Sequence, residues 1–351
     1  MTERRVYLLI GVALAVIAAA LWIASQRHLP RDVDVGVKMF PQLKTSDIKA
    51  IEITRAGGKR SVTLEISSNE WTIKERAGYP ADASRVRGLV LAVAGLTTVE
   101  EKTADVKNYP SIGVEDISAP TAIGTQIDFI GVTPPVSLIV GRGSGSKASF
   151  VRRPGSAGSV LASPQVFADP EPKNWLQRSI VDISSDRVQE ARVSIGKVSY
   201  VLTRKDRGQT NFTLSAAPRG KALASEGAGN FAGSALAGLE LDDVKKFDAA
   251  EFGTSQDKAE FRSFDGWVVS LTGHRDGERN WIHLDSRYEE ALAKAFPLPP
   301  PADPKAAPVA KPDVRKDAQA LAARAAEWAY EVPKYKYDAL FKPLDEIAKK
   351  P

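Results

Sequence analysis

The chain has 351 residues, no cysteine and a formal net charge of +5. The missing thiols exclude a disulfide framework and any thiolate metal site. The bases lie scattered among acids with no basic stripe, so a nucleic-acid partner is not expected, and apolar content is that of a globular chain long enough for two domains.

Residues 1–5 read as a short cytoplasmic N-terminus and residues 6–24 as a transmembrane helix. The latter carry neither charge nor proline, and a helix of that length spans roughly 28 Å, close to the hydrocarbon thickness of a bilayer. Arg4 and Arg5 favour a cytoplasmic start, which puts the bulk of the chain outside a bacterial inner membrane as a single-pass protein. Tyr7 and Trp22 sit near the two ends as interfacial anchors. Gly11, Ala15 and Ala19 share one helix face, where small side chains let a second helix approach. The competing reading is a cleaved signal peptide with Ala18-Ala19-Ala20 as its site; in either case the body is exported.

Residues 25–47 form a tether ending in Met39-Phe40-Pro41-Gln42-Leu43. Residues 48–55 alternate apolar and polar as a half-buried strand. Gly57-Gly58 turns the chain into Val62, Leu64 and Ile66, and Asn69-Glu70 turns it again into Trp71 and Ile73. These strands predict an antiparallel meander. Asp82 is placed to cap a helix whose apolar positions are Val86, Leu89, Val90, Val93 and Leu96. After a polar loop through Gly113-Val114-Glu115-Asp116, strands resume at 125–130, 136–140, 149–153 and near Val160-Leu161. Trp175-Leu176-Gln177 suits a short helical turn.

The order then restarts. Residues 188–193, 198–203 and 212–214 echo the first meander, and Phe231, Ala235, Leu236 and Leu239 suggest a second helix. Later segments at 261–264, 267–271 and 281–284 echo the hairpins. Residues 297–312 are a stiff insertion rich in Pro, Ala and Lys. Beyond it come a helix at 318–326, an alternating strand through Trp328, Tyr330 and Val332, and a final helix with Leu340, Leu344 and Ile347. The expected fold is α+β: a transmembrane helix, then two similar halves at 48–183 and 184–351, each an antiparallel β-meander with a packed helix plus further hairpins.

Taken together, residues 39–43, 48–55, 70–73, 78–82, 113–116, 150–153, 175–183 and 328–333 resemble the domain-of-unknown-function family 4340. Their order and spacing carry the resemblance, and the Pro-rich stretch departs from the usual pattern. The resemblance implies tethering to a bacterial membrane by one helix and, for some members, an accessory role beside ABC-type exporters of the gliding-motility kind. It supplies no catalytic residues.

The remaining motifs point to no reaction. Residues 141–148 superficially match a phosphate loop, but Ser146 stands where the glycine before the lysine belongs and Ala148 where the magnesium-binding hydroxyl belongs. A hairpin turn fits better. His274, read as lying in a turn, and His283 with Asp285 supply at most a pair of ligands, so no metal is expected. The acid pairs Glu100-Glu101, Glu115-Asp116, Asp242-Asp243 and Glu289-Glu290 read as solvated surface. Trp71, Trp175, Trp267, Trp281 and Trp328 read as core, and Arg152-Arg153 as a surface strand end. The expected function is therefore a non-enzymatic accessory or scaffold protein at the membrane, with no cofactor, with the lipid bilayer and an ABC-type export complex as partners, and with self-association compatible. A module binding envelope polymer or lipid is the alternative, and a hydrolase with a non-local site the further one.

Overall fold

The computed structural model describes residues 15–18, 36–255, 257–297 and 313–349. Residues 15–18, with Ala15 among them, form one helical turn. Gly11, Ala19, Tyr7 and Trp22, the rest of residues 6–24 and most of the Pro-rich insertion lie outside the described residues. Among the described residues no helix is long and apolar enough to cross a membrane. The chain divides into two compact units, Met1–Thr63 with Arg87–Pro170, and Leu64–Val86 with Glu171–Pro351.

The fold is α+β, built on large antiparallel sheets. The first sheet uses β1 (Ala50–Arg55), β2 (Lys59–Ser67), β3 (Glu70–Ile73), β4 (Tyr79–Pro80), β5 (Thr97–Glu101), β6 (Thr125–Ile130), β7 (Val136–Ser144), β8 (Ala148–Arg152) and β9 (Ser159–Ser163). Its order is β4-β3-β2-β1-β6-β7-β8-β9-β5. Two short strands, β10 (Ser179–Val181) and β14 (Leu239–Glu240), pair by themselves. The other large sheet uses β11 (Val188–Ile195), β12 (Val198–Thr203), β13 (Thr213–Ala216), β15 (Asp243–Lys246), β16 (Asp257–Ser263), β17 (Trp267–Asp276), β18 (Arg279–Tyr288) and β19 (Trp328–Glu331). Its order is β13-β12-β11-β16-β17-β18-β19-β15. With β4 set aside, adding ten to each strand number converts the first order into the second.

The alternation read from sequence explains the registers. Ile53 faces Ile127, which faces Leu138, and all three are buried. In the other sheet Val193, Ala259 and Leu271 make the corresponding buried row. Because successive side chains point to opposite faces, one such row per pair of residues assembles a continuous apolar face. Ser68 and Asn69 have positive φ in the two-residue link between β2 and β3, as a primed hairpin turn requires. Helix α1 (Ala83–Ala94) starts where the sequence predicts: the Asp82 carboxylate accepts from the backbone N–H of Ser84 at 2.9 Å and Arg85 at 3.1 Å. Its Val86, Leu89, Val90 and Val93 are buried and its Leu91 is exposed.

Four expectations need correction. The second-half helix is only Phe231–Ser234, and Leu239 belongs to β14. The C-terminal helix is two short ones, Lys334–Leu340 and Leu344–Ile347; Pro343 lacks the N–H that a continuous helix would use. In β19, Ala329 is buried as completely as Tyr330, because this strand lies between β18 and β15, and an interior strand with both faces covered loses its alternation. His274 lies inside β17 opposite Trp281, and the turn begins only at Gly277.

Candidate functional site

Residues 36–39 do not dangle before the first strand. Gly36 N–H donates to Thr98 O at 2.8 Å, Thr98 N–H to Val37 O at 3.2 Å, and Met39 N–H to Leu96 O at 2.8 Å. Lys38 forms an antiparallel bridge with Thr97. The segment thus covers the outer edge of β5 as a strap, which satisfies backbone groups that an edge strand leaves open. Phe40-Pro41-Gln42-Leu43 then makes a turn closed by Leu43 N–H to Phe40 O at 3.2 Å, with proline at the position where its fixed φ suits a β-turn. The chain re-enters the sheet through buried Ile48, and Lys49 N–H donates to Ile130 O at 2.8 Å.

A groove of 420 Å³ lies against this strap. It is lined by residues 39–43 on one side, Pro134, Pro135 and Val136 on another, and Arg153 and Pro154 on a third. The Gly131 backbone comes so close to the chain re-entering the sheet that a Cβ there would stand 2.7 Å from Asp47 O and 2.8 Å from Lys49 Cγ. Its φ of +96° is one that other residues rarely adopt. The Arg153 guanidinium lies 5.0 Å from the centre of the Phe40 ring and donates to Met39 O. A smaller cavity of 320 Å³ shares Met39 and Arg153 with the groove and adds Val37, Val151 and Val160 beside Lys38, Thr98 and Glu101.

The two adjacent arginines have opposite fates, since neighbouring strand residues face opposite ways. Arg153 is exposed, whereas Arg152 is 2% exposed. Arg152 donates to Val114 O at 2.7 Å, Ser156 O at 2.8 Å and the Asp116 carboxylate at 2.7 Å, and lies 4.6 Å over the Tyr109 ring. A buried guanidinium is tolerable only when its donors are matched in this way. It ties residues 114–116 to the strand end that presents Arg153. The expectation of a surface strand end therefore holds for Arg153 and fails for Arg152.

The loop at 113–116 is seated by backbone contact. A Cβ on Gly141 would lie 2.2 Å from Ile112 O, and one on Gly124 2.2 Å from Gly113 O. Gly141 is thus part of β7, where another stretch of main chain crosses it, and the stretch 141–148 is the β7–β8 hairpin, with Gly145 at φ +62° in its turn.

The other candidates disperse. His283 stacks on Phe247 at 3.7 Å, with Nδ1 2.9 Å from Trp328 O, and His274 tilts against Phe252. Among the described residues no group of three metal-ligating side chains converges. The acid pairs are not simply solvated: Asp116 pairs with Arg152, Asp243 with Arg76, and Glu289 with Arg262 and Arg287. Trp175, Trp267, Trp281 and Trp328 are buried, so they form no open aromatic platform. A cleft of 730 Å³ beside β13 is larger than the groove, but its polar groups hold one another: Gln209 donates to Asn211 O, and Asn211 to the Glu226 carboxylate.

Burial raises four tyrosines of the second unit, Tyr79, Tyr200, Tyr330 and Tyr337. It pushes Tyr330 up to about 12 and Tyr79 higher still; their rings lie 6.2 Å apart, with Trp328 edge-on to Tyr79. Burial also acts to raise Glu260, but hydrogen bonds and charge from Arg287 and Arg262 outweigh it and hold the carboxyl below its usual range.

Sequence reading singled out residues 39–43 and Arg153 but not their meeting, because 114 residues separate Arg153 from Met39. Pro41 in a turn and the Pro134-Pro135 pair were the available signals. A family profile described as Domain of unknown function (DUF4340) matches residues 71–262. No curated protein and no solved structure matches the chain.

Proposed function

The chain belongs to the DUF4340 family, and from that premise we propose that it is a non-enzymatic, membrane-tethered extracytoplasmic accessory protein. It serves as a scaffold beside an ABC-type export complex. The observation that carries this reading is the strap. Gly36 is bonded to the edge of β5, with 11 residues between it and the end of an uncharged apolar run at Ala24. Residues 25–35 reach at most about 40 Å when fully extended, so a body anchored through residues 6–24 stays close to the bilayer. The shared strand order of the two large sheets supports a doubled body, two similar halves each with a meander and hairpins, which offers extended surface for partners.

Solubilising membranes in a mild detergent and purifying the full chain tests the reading. Transporter subunits should come with it in constant ratio. Recovery of a lone monomer, after in-cell crosslinking has also captured no membrane partner, would refute it.

A further inference from the structure

We infer that the face formed by the strap, the 131–135 loop and Arg153 rests on anionic lipid headgroups, with phosphate as the recognised group; this deepens the membrane-tethered reading and rests on it. The first support is charge. Beyond the apolar run, residues 25–63 and 87–170 of the first unit hold 15 Lys and Arg against 11 Asp and Glu, while the other unit holds 31 of each. The excess positive charge of the exported body, four of the five net charges, therefore belongs to the first unit.

The second support is where the uncompensated bases lie. Arg60 pairs with Glu52, Lys102 with Glu100, and Arg152 with Asp116. Lys38, Lys44, Lys49 and Arg153 are exposed, and among the described residues none of them has a carboxylate partner; the same holds for Lys59, Arg87, Lys107, Arg142 and Lys147 of the same unit. Of these nine, Lys38, Lys44 and Lys49 lie on the strap or the few residues that follow it, and Arg153 lies on the groove wall against it. Ammonium and guanidinium groups without a carboxylate partner donate to phosphate oxygens with no ion pair to break.

The third support is what stands between them. Val37 is 51% exposed, and Pro41, Pro134 and Pro135 are exposed beside half-buried Phe40. Apolar side chains rimmed by bases suit the boundary between headgroups and acyl chains. Electrostatic attraction to an anionic leaflet fades within a Debye length, about 10 Å; the link of residues 25–35 confines the strap to within about 40 Å of the bilayer, and attraction by the basic face would draw it the rest of the way.

The protein has no cysteine, so Gln42→Cys gives a single labelling site on the groove rim. The full chain, carrying an environment-sensitive fluorophore there, is reconstituted in nanodiscs of phosphatidylcholine alone or mixed with phosphatidylglycerol, with headgroup spin-labelled lipid as quencher. Quenching should be at least twofold stronger in the anionic discs and should fall with added salt. Lys44→Glu/Lys49→Glu/Arg153→Glu should abolish the difference, and Lys44→Glu/Lys49→Glu, which spares the Arg153–Phe40 contact, should at least halve it. Lys107→Glu/Arg142→Glu/Lys147→Glu, an equal charge change elsewhere on the same unit, should leave it intact. Equal quenching in both lipids, equal loss in the two triple variants, or a label shielded by a co-purifying protein instead of by lipid each overturns the inference while the tether stands. Failure of the chain to stay with discs of either composition sinks the tethered reading itself.

Discussion

The hairpin β7–β8 and its counterpart β17–β18 occupy the same place in the strand order of their sheets, yet they are covered by different materials. Main chain lies on the first: the carbonyls of Ile112 and Gly113 sit where Cβ atoms of Gly141 and Gly124 would be. Side chains lie on the second: a Cβ at Gly273 would meet Tyr337 Oη at 2.4 Å and Phe341 Cε2 at 2.7 Å, from the helical segment after β19. One topology thus tolerates two coverings. They differ in how much they can yield, because a ring can rotate away where a hydrogen-bonded backbone cannot. The bare hairpin in the first unit also leaves room for the loop 114–116 that anchors Arg152 and, through it, the rim of the groove.

The sharpest way to break this comparison is to put the same methyl group in both places. Gly141→Ala should destabilise the protein by about 4 kcal/mol or prevent folding, whereas Gly273→Ala should cost about 2 kcal/mol, in the range of ordinary overpacking. Denaturant titration of the two variants decides it; equal losses would mean that the coverings do not differ in compliance. Next in size is the adjacent arginine pair. Arg152→Met removes three hydrogen bonds and strands the Val114 and Ser156 carbonyls, an expected loss of about 3 kcal/mol. Arg153→Met should stay within about 0.5 kcal/mol. Hydrogen exchange should show the Arg152→Met loss first over residues 109–116 and 150–158.

The smallest effects come from titration, and they sharpen the contrast by reading the second unit alone. Glu260 is held low by Arg287 and Arg262, so its contribution is present above the usual carboxylate range and lost as pH falls through the lowered value. Tyr330 moves from an ordinary 10.0 to about 12, so its contribution is complete below pH 10 and lost as pH rises toward about 12. Unfolding midpoints against pH should form a plateau with both edges. Glu260→Gln should reduce the acid edge and Tyr330→Phe the alkaline one, each by about 1 kcal/mol, with Tyr79, Tyr200 and Tyr337 sustaining what is left of the alkaline edge. An acid edge unchanged by Glu260→Gln would show that the network of Glu190, Glu260, Glu289, Arg262 and Arg287 contributes nothing net.

Much of the strand set was legible from pattern. Residues 48–55 and 188–193 alternate and become β1 and β11, and Asp82 marks the start of α1. The site was legible only as fragments. Met39-Phe40-Pro41-Gln42-Leu43 announces a turn, and Arg152-Arg153 announces two charges, but no local signal says that the first of these charges is buried and the second closes over Phe40. The short helix at Phe231–Ser234 was overestimated for the same reason. Apolar residues at helical spacing describe what could be buried, and β14 claims Leu239 through a partner far away in the chain.

By itself the amino-acid sequence determined which segments extend, where the chain turns, that no thiol chemistry is available, and that a long uncharged apolar run precedes the body. These follow from periodicity, glycine and proline positions and side-chain type, all local properties. Only the tertiary structure decided that two large sheets share one strand order, that Gly141 faces crossing main chain, and that Arg153 closes over Phe40 at the wall of a groove lined by residues 39–43. Those facts depend on which distant strands exchange hydrogen bonds. A free edge or an unpaired base exists only relative to neighbours that the local pattern does not name.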